Sequence, residues 1–406
     1  MAFDGKTRTM DGIGDRKESL AARVLRRMIA QIEFGHIMVV LPSGDRIEHS
    51  GAQAGPSATL VLRRWRAIRR LLSHGDLGFA EAYIEGDWSS PDLAAFLELA
   101  ARNIAVLDRK MSGFWPVRMF NRARHLRHAN SKAGSRRNIS LHYDLGNDFY
   151  QCWLDRSMTY SSALYAHPNQ TLEDAQEAKL SRIEKLLDLR GGEDILEIGC
   201  GWGALAVRLA RAGARVTAVT LSSEQLALSR QRVEQEALVD RVALELTDYR
   251  DIEGSYDGIV SIEMLEAVGE AYWPIYFKTL HDRLNVGGIA VLQVITINEA
   301  RFEAYRGSAD FIQRHIFPGG MLPTKAIIIE QGAQAGLKLV STQSFGQSYA
   351  ATLAEWRKRF LASWPSITEM GFPERFRRLW DYYLCYCEAG FRAATIDVDF
   401  YVLAKS

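Results

Sequence analysis

The stretch Gly199-Cys200-Gly201-Trp202-Gly203 follows an apolar run, Ile195–Ile198, that contains one acid, Glu197. Glycines at every second position let backbone approach a ligand where a Cβ would intrude. The spacing GxGxG is one residue out from the dinucleotide fingerprint GxGxxG, and no Walker lysine follows, which argues against a nucleoside triphosphate. An acid beside the turn would repel a pyrophosphate and attract an ammonium or a sulfonium. S-adenosylmethionine (SAM) carries both, so Glu197, Gly199, Cys200 and Gly201 are candidate contacts to it. A nicotinamide site and a glycine turn without a ligand are the competing readings. Further on, Asp248-Tyr249 offers an acceptor for an adenine amino group and a ring against its face. An acid is missing from the end of the next strand, Arg215–Thr220, where a ribose would be bound; Thr220, Leu221, Ser222 and Gln225 stand there instead.

These residues need a scaffold, and the pattern from Asp194 onward supplies one. Apolar strands are expected at Ile195–Ile198, Val216–Thr220, Val242–Leu246, Gly258–Ile262 and Ile289–Ile295, with helices beginning near Gly203, Ser223, Glu270 and Pro323. That alternation predicts a doubly wound parallel α/β sheet with ligands at the carboxyl ends of its strands. Two late strands, Leu337–Gln343 and Asp397–Ala404, would form an antiparallel edge. Between them the aromatic-rich stretch 349–395 reads as an inserted helical lid over a greasy pocket.

Ahead of this lie a leader (residues 1–18), a small α+β module (19–105) and a basic segment (106–137). The module is expected to hold a helix from Leu20 to Phe34, strands at His36–Leu41 and Thr59–Leu62 around a polar hairpin, an Arg-rich helix, and a helix from Pro91 to about Ala101. From Arg109 to Arg137 there are nine Lys/Arg, two His and no acid, with Phe114, Trp115 and Phe120 interleaved. Such a segment serves either as a solvated linker or as a patch for an anionic membrane surface.

The chain has 406 residues, 47% apolar and 24% charged, and a net charge of +1, so no global field directs it to nucleic acid. Its four cysteines lack CxxC spacing, so no zinc site, other metal site or disulfide framework is expected. The N-terminus has no apolar signal-peptide core, and no apolar run reaches the roughly 18–20 residues that span a bilayer. A cytoplasmic protein, peripheral to the membrane's inner face, is the expectation.

Residues 142–165 (HYDLGNDFYQCWLDRSMTYSSALY), LEIGCGWGALA, VTLSSEQ, TDYRDI, SIEMLEAVG, RHIFPGGMLP and YYLCYCEAGFRA, in this order, resemble the cyclopropane-fatty-acyl-phospholipid synthases and the related mycolic acid cyclopropane synthases and methyltransferases. The resemblance runs from about residue 137 to the C-terminus. It continues more weakly through GDLGFAEAYIEGDW, which favours the phospholipid-acting branch.

The resemblance implies a class I SAM-dependent methyltransferase domain (138–406) with a Rossmann-like sheet, acting on the double bond of an unsaturated phospholipid acyl chain, and a homo-oligomer, a dimer. An alkene is a poor nucleophile, so such an enzyme must work by positioning, by exclusion of water and by π faces around a carbocation. By the same resemblance Tyr160 and Ser161 contact the methionine part of SAM. Glu266 and Tyr349 belong to the active site, and Cys387 matches a cysteine marked as active. Chemically Cys387 reads better as an inert buried thiol.

The family also holds a bicarbonate that takes a proton from the new methyl group. Its surroundings map to Glu266, Tyr349, Ser162, Gln293 and the Ile295 carbonyl. Here Ser162 stands for the family's cysteine, Gln293 for its histidine and Ala267 for a common histidine, which puts bicarbonate and ring closure in question. A methyl-branched or methylene product is the alternative to a cyclopropane. A non-catalytic lipid-binding protein of the same fold and a methyltransferase for a polar small molecule complete the set.

Overall fold

The computed structural model describes residues 20–110, 145–307 and 309–406. The leader and most of the basic segment lie outside the described residues.

The N-terminal module starts with a helix at Leu20–Ile29, shorter than the apolar spacing to Phe34 predicts. Its sheet holds β1 (Phe34–Val40), β2 (Arg46–Ser50), β3 (Gln53–Leu62) and β4 (Trp88–Ser89) in the order β2-β1-β3-β4. The expected hairpin is therefore β1 with β2, while β1 and β3 run parallel. Strand β2 escapes the sequence reading because only Ile47 of RIEHS is buried.

The helix Arg66–Ile84 bends at Gly75, whose φ of 65° and ψ of −149° are not helical. The helix expected to stop near Ala101 spans Leu93–Lys110, so residues 106–110 are helix and not linker. Within it Asn103 is fully buried and its side chain is used in packing. Its carbonyl oxygen accepts from the amides of Glu33 and Phe34 at 2.8 and 3.0 Å, and its amide donates to Leu99 O at 2.8 Å.

The main sheet comprises β5 (Asp194–Ile198), β6 (Arg215–Thr220), β7 (Val242–Leu246), β8 (Tyr256–Ile262), β9 (Leu284–Ile297), β10 (Leu337–Ser344) and β11 (Ile396–Lys405). Their order is β10-β11-β9-β8-β5-β6-β7. Strands β5 to β9 pair in parallel, and β11 pairs antiparallel with both β9 and β10, as the pattern predicts. The order reverses between β5 and β8, and the crevice at such a switch point is where α/β sheets bind ligands. The helix Leu172–Leu186, capped by Thr171, precedes β5.

The lid consists of helices Gly346–Ala362, Trp364–Glu369 and Glu374–Arg392. Its large rings, among them Trp356, Phe360 and Trp380, are buried in one continuous body of apolar side chains. That body also contains the interior of the N-terminal module and one face of the main sheet. Polar ties join lid and module: Tyr83 donates to Asp381 at 2.7 Å, Asp381 also receives Arg357 at 2.7 Å, and Arg378 donates to the Tyr83 carbonyl at 2.8 Å.

Candidate functional site

Strand β5 ends at Ile198 and the chain turns through Gly199, Gly201 and Gly203, with φ of 85°, 53° and 82°. These left-handed values cost a non-glycine residue its ordinary backbone conformation. A Cβ built on Gly201 meets nothing within 4 Å, so the turn borders open space. That space is a cavity of about 1070 Å³, beyond the roughly 300–1,000 Å³ of most small-molecule sites.

Its wall includes Tyr160, Ser161, Glu197, Gly199, Cys200, Gly201, Thr220, Leu221, Gln225 and Tyr249. Ten of the eleven expected cofactor residues thus share one cavity. Asp248 departs from the expectation. It is off the wall, and its carboxylate receives the Arg250 guanidinium at 2.8 and 2.7 Å.

Glu197 is almost fully buried, and its Oε2 has no hydrogen-bond partner. Burial pushes its carboxyl up to about 8, partly offset by the Ala206 amide. A lone carboxylate left in this state is what a bound cation would complete. The residues present therefore fit the ammonium and sulfonium of SAM. Thr220 and Gln225 are bonded to each other at 3.0 Å, and Ser222 caps the following helix.

The second set of expected residues divides. Glu266, Tyr349 and Cys387 line the cavity. Ser162 and Gln293, fully buried, do not, contrary to expectation; the Gln293 side chain and the Ser162 backbone amide bond Glu263 instead. Glu263 follows the end of β8, is on the cavity wall, and has φ of 51°. Its Oε1 accepts the Ser162 amide at 2.8 Å and the Gln293 side-chain amide at 2.7 Å, and its Oε2 accepts the Tyr349 hydroxyl at 2.6 Å. The Ser162 hydroxyl donates to the Ala163 carbonyl and contributes nothing to the cavity.

Glu266 accepts the Ile295 amide through Oε1, while its Oε2 has no partner. Burial, reinforced by the charge of Glu263, raises its carboxyl to about 8. Burial also raises Glu263, against the pull of its three donors and Lys179. Lys179, fully buried, donates to Ser161 Oγ at 2.7 Å, and desolvation lowers its ammonium to about 8. Burial raises the Cys387 thiol well above its usual range, which disfavours the thiolate.

Rings close the site. Tyr349 stacks on Phe391 with centroids 4.5 Å apart, and Tyr160 meets Trp356 at 5.3 Å and the Tyr383 hydroxyl at 2.8 Å. The same cavity continues into the N-terminal module, where Leu25, Ile37, Leu60, Ile68, Phe79 and Phe96 form its wall.

The sequence reading passed over Glu263 and Lys179. Glu263 stands in SIEMLEAVG, three residues before Glu266. Lys179 shares a helix face with Ala175 and Ile183, both buried, which is the signal for a buried lysine.

The profile of the mycolic acid cyclopropane synthetase family matches residues 130–401. This chain belongs to that family. It is an enzyme of the SAM-dependent methyltransferase type, and SAM is its cofactor. The chain is 39% identical over 389 residues to the tuberculostearic acid methyltransferase UfaA1 of Mycobacterium tuberculosis, covering 94% of this chain and 90% of that one. It is 35% identical to the cyclopropane-fatty-acyl-phospholipid synthase of Escherichia coli, over 82% of this chain and 84% of that one. Among solved structures, the mycolic acid cyclopropane synthase CmaA1 complexed with SAH and CTAB superposes with a TM-score of 0.63 at 30% identity, over 66% of this chain and 98% of that one. Among the described residues no group of acids, histidines and cysteines can hold a metal ion, and no helix is long and apolar enough to cross a membrane.

Proposed function

We propose that this methyltransferase moves the methyl group of SAM onto a double-bond carbon of an unsaturated acyl chain in a membrane phospholipid. The observation that carries this reading is the continuity of the cavity. It runs from Glu197 and the glycine turn, past Glu263, Glu266 and Tyr349, into the apolar interior of the N-terminal module. A polar small substrate would leave that long apolar wall without a partner. A protein that only stored lipid would have no use for the buried carboxylates beside it. The relatives named for fatty acyl and phospholipid substrates support the same choice.

SAM, when bound, supplies an electrophilic methyl group. Glu197 would hold its cationic end, with Tyr160 and Ser161 against the methionine portion. Thr220, Leu221 and Gln225 would face the ribose and Tyr249 the adenine. The rings of Tyr349, Phe391, Tyr160 and Tyr383, all on the cavity wall, exclude water, and each such face is worth about 0.5–2 kcal/mol to a developing carbocation. The basic residues 109–137 would bring the protein to an anionic bilayer surface.

The product is a chain carrying a methyl or methylene branch in place of a ring. Supporting this, neither Ser162 nor Gln293 lines the cavity, the Ser162 hydroxyl being bonded to the Ala163 carbonyl and the Gln293 amide to Glu263, and relatives matching this chain are named as methyltransferases. SAH release with vesicles of saturated or monounsaturated phospholipid tests the substrate, and mild hydrogenation of the product tests the branch. Release that needs the double bond, and a product that still takes up hydrogen, are expected. Equal release with saturated vesicles would end the substrate reading; a hydrogenation-resistant ring would end only the branching.

A further inference from the structure

Glu263 and Glu266 are half-buried neighbours on the cavity wall, and only one of them is fully set up to hold a negative charge. Glu266 has one oxygen on the Ile295 amide and one with no partner. Glu263 has three donors, from Ser162, Gln293 and Tyr349, and lies in the field of the Lys179 ammonium. A carboxylate offers about four lone-pair positions. Two donors occupy Oε1 and one occupies Oε2, so one position on Oε2 is left. Three of the five residues that the family resemblance places around a bicarbonate ion, Tyr349, Gln293 and (through its backbone amide) Ser162, thus converge on a side chain of this protein.

We infer that the Glu263 carboxylate is the built-in proton acceptor of the reaction, doing the work of a diffusible bicarbonate. The inference rests on the acyl-methylation reading above. Once the methyl group has joined one alkene carbon, its neighbour is cationic. A hydride shift then moves the cation onto the methylated carbon; a C–H bond of the new methyl or of an adjacent chain carbon breaks, its electron pair becomes the π bond of a methylene or methyl-branched alkene, and the proton passes to Glu263 Oε2. Carbon and charge balance without an oxidant or reductant. Glu266, raised by burial and by its charged neighbour, is the member of the pair that stays protonated near neutral pH.

The backbone carries independent support. Glu263 is a non-glycine residue in the left-handed region, held there as its amide donates to the Gln293 carbonyl at 2.8 Å. Such strain persists where a side chain is needed at that spot. A glycine would adopt the same φ freely, so Glu263→Gly keeps the fold and opens a carboxylate-sized space.

The test uses the full-length enzyme, vesicles of monounsaturated phosphatidylglycerol, and buffers stripped of carbon dioxide or supplemented with bicarbonate. The parent is expected to turn over equally in both. Glu263→Gln should lose about 10²–10⁴-fold in kcat, the usual worth of a positioned base, with its SAM affinity unchanged. Glu263→Gly should be equally slow in stripped buffer and recover at least tenfold with bicarbonate. A parent that needs bicarbonate, a Glu263→Gln variant with parental kcat, or a glycine variant that bicarbonate fails to restore would each overturn the inference. A parent that methylates no vesicle lipid at all would overturn the acyl-methylation reading first, and the base with it.

Discussion

Glycine 201 is the residue where backbone and ligand compete most directly for space. Its φ of 53° and the open space at its missing Cβ mean that Gly201→Val strains the turn and fills the cofactor end of the cavity. Calorimetry should find SAM binding abolished; parental affinity would place the cofactor elsewhere. Glu197 gives a second handle. Its carboxyl, raised to about 8 by burial, is largely protonated at neutral pH without ligand, and must ionise to meet a cation. Binding therefore releases a proton below about pH 8, and SAM affinity rises as pH climbs toward that value. Glu197→Gln should flatten the slope and remove the proton release. A parent whose affinity is flat with pH would contradict this. The glycine turn and its acid were legible in sequence because their chemistry is local. Glu263 was not, because its importance comes from three donors on β9, the lid and the segment at Ser162, which only the folded chain brings together.

At the scale of elements, the alternation of apolar runs and helices was enough to fix the parallel sheet and its antiparallel edge. Polar elements were harder. Strand β2 buries one side chain, and the C-terminal half of Leu93–Lys110 continues past an asparagine whose amide is consumed in packing. The bend in Arg66–Ile84 was also invisible, since a glycine within a helical pattern is tolerated without bending. Gly75 sits at that bend on the cavity wall, in a φ/ψ region open essentially to glycine alone. Gly75→Ala, which meets no neighbouring atom, should cost about 1–3 kcal/mol through backbone strain. Denaturant midpoints check it: an unchanged midpoint would show that the bend relaxes freely. SAM affinity should not move, because Gly75 lies outside the group of cofactor residues.

For the whole molecule, the cavity is the property that no single segment foretells. Its walls come from the glycine turn, the lid and the N-terminal module, which lie far apart in the chain. On the acyl-methylation reading, joining them would set a cationic cofactor and a long apolar chain end to end, with Glu263, Glu266 and Tyr349 between them on the same wall. Narrowing the far end should therefore impair lipid use and spare SAM. Ala100, on the helix Leu93–Lys110, lines that end. Ala100→Phe is expected to raise the KM for phospholipid vesicles while leaving SAM affinity as it was; unchanged lipid kinetics would detach the module from the substrate. The most direct test of the central claim is to find where the methyl group goes. Vesicles of monounsaturated phospholipid, incubated with the full-length enzyme and SAM carrying a deuterated methyl group, are hydrolysed and their acyl chains fragmented in the mass spectrometer. The account predicts one labelled carbon per modified chain, attached at a former double-bond carbon, and no label in the headgroup. Label in the headgroup, or spread over saturated positions, would contradict it.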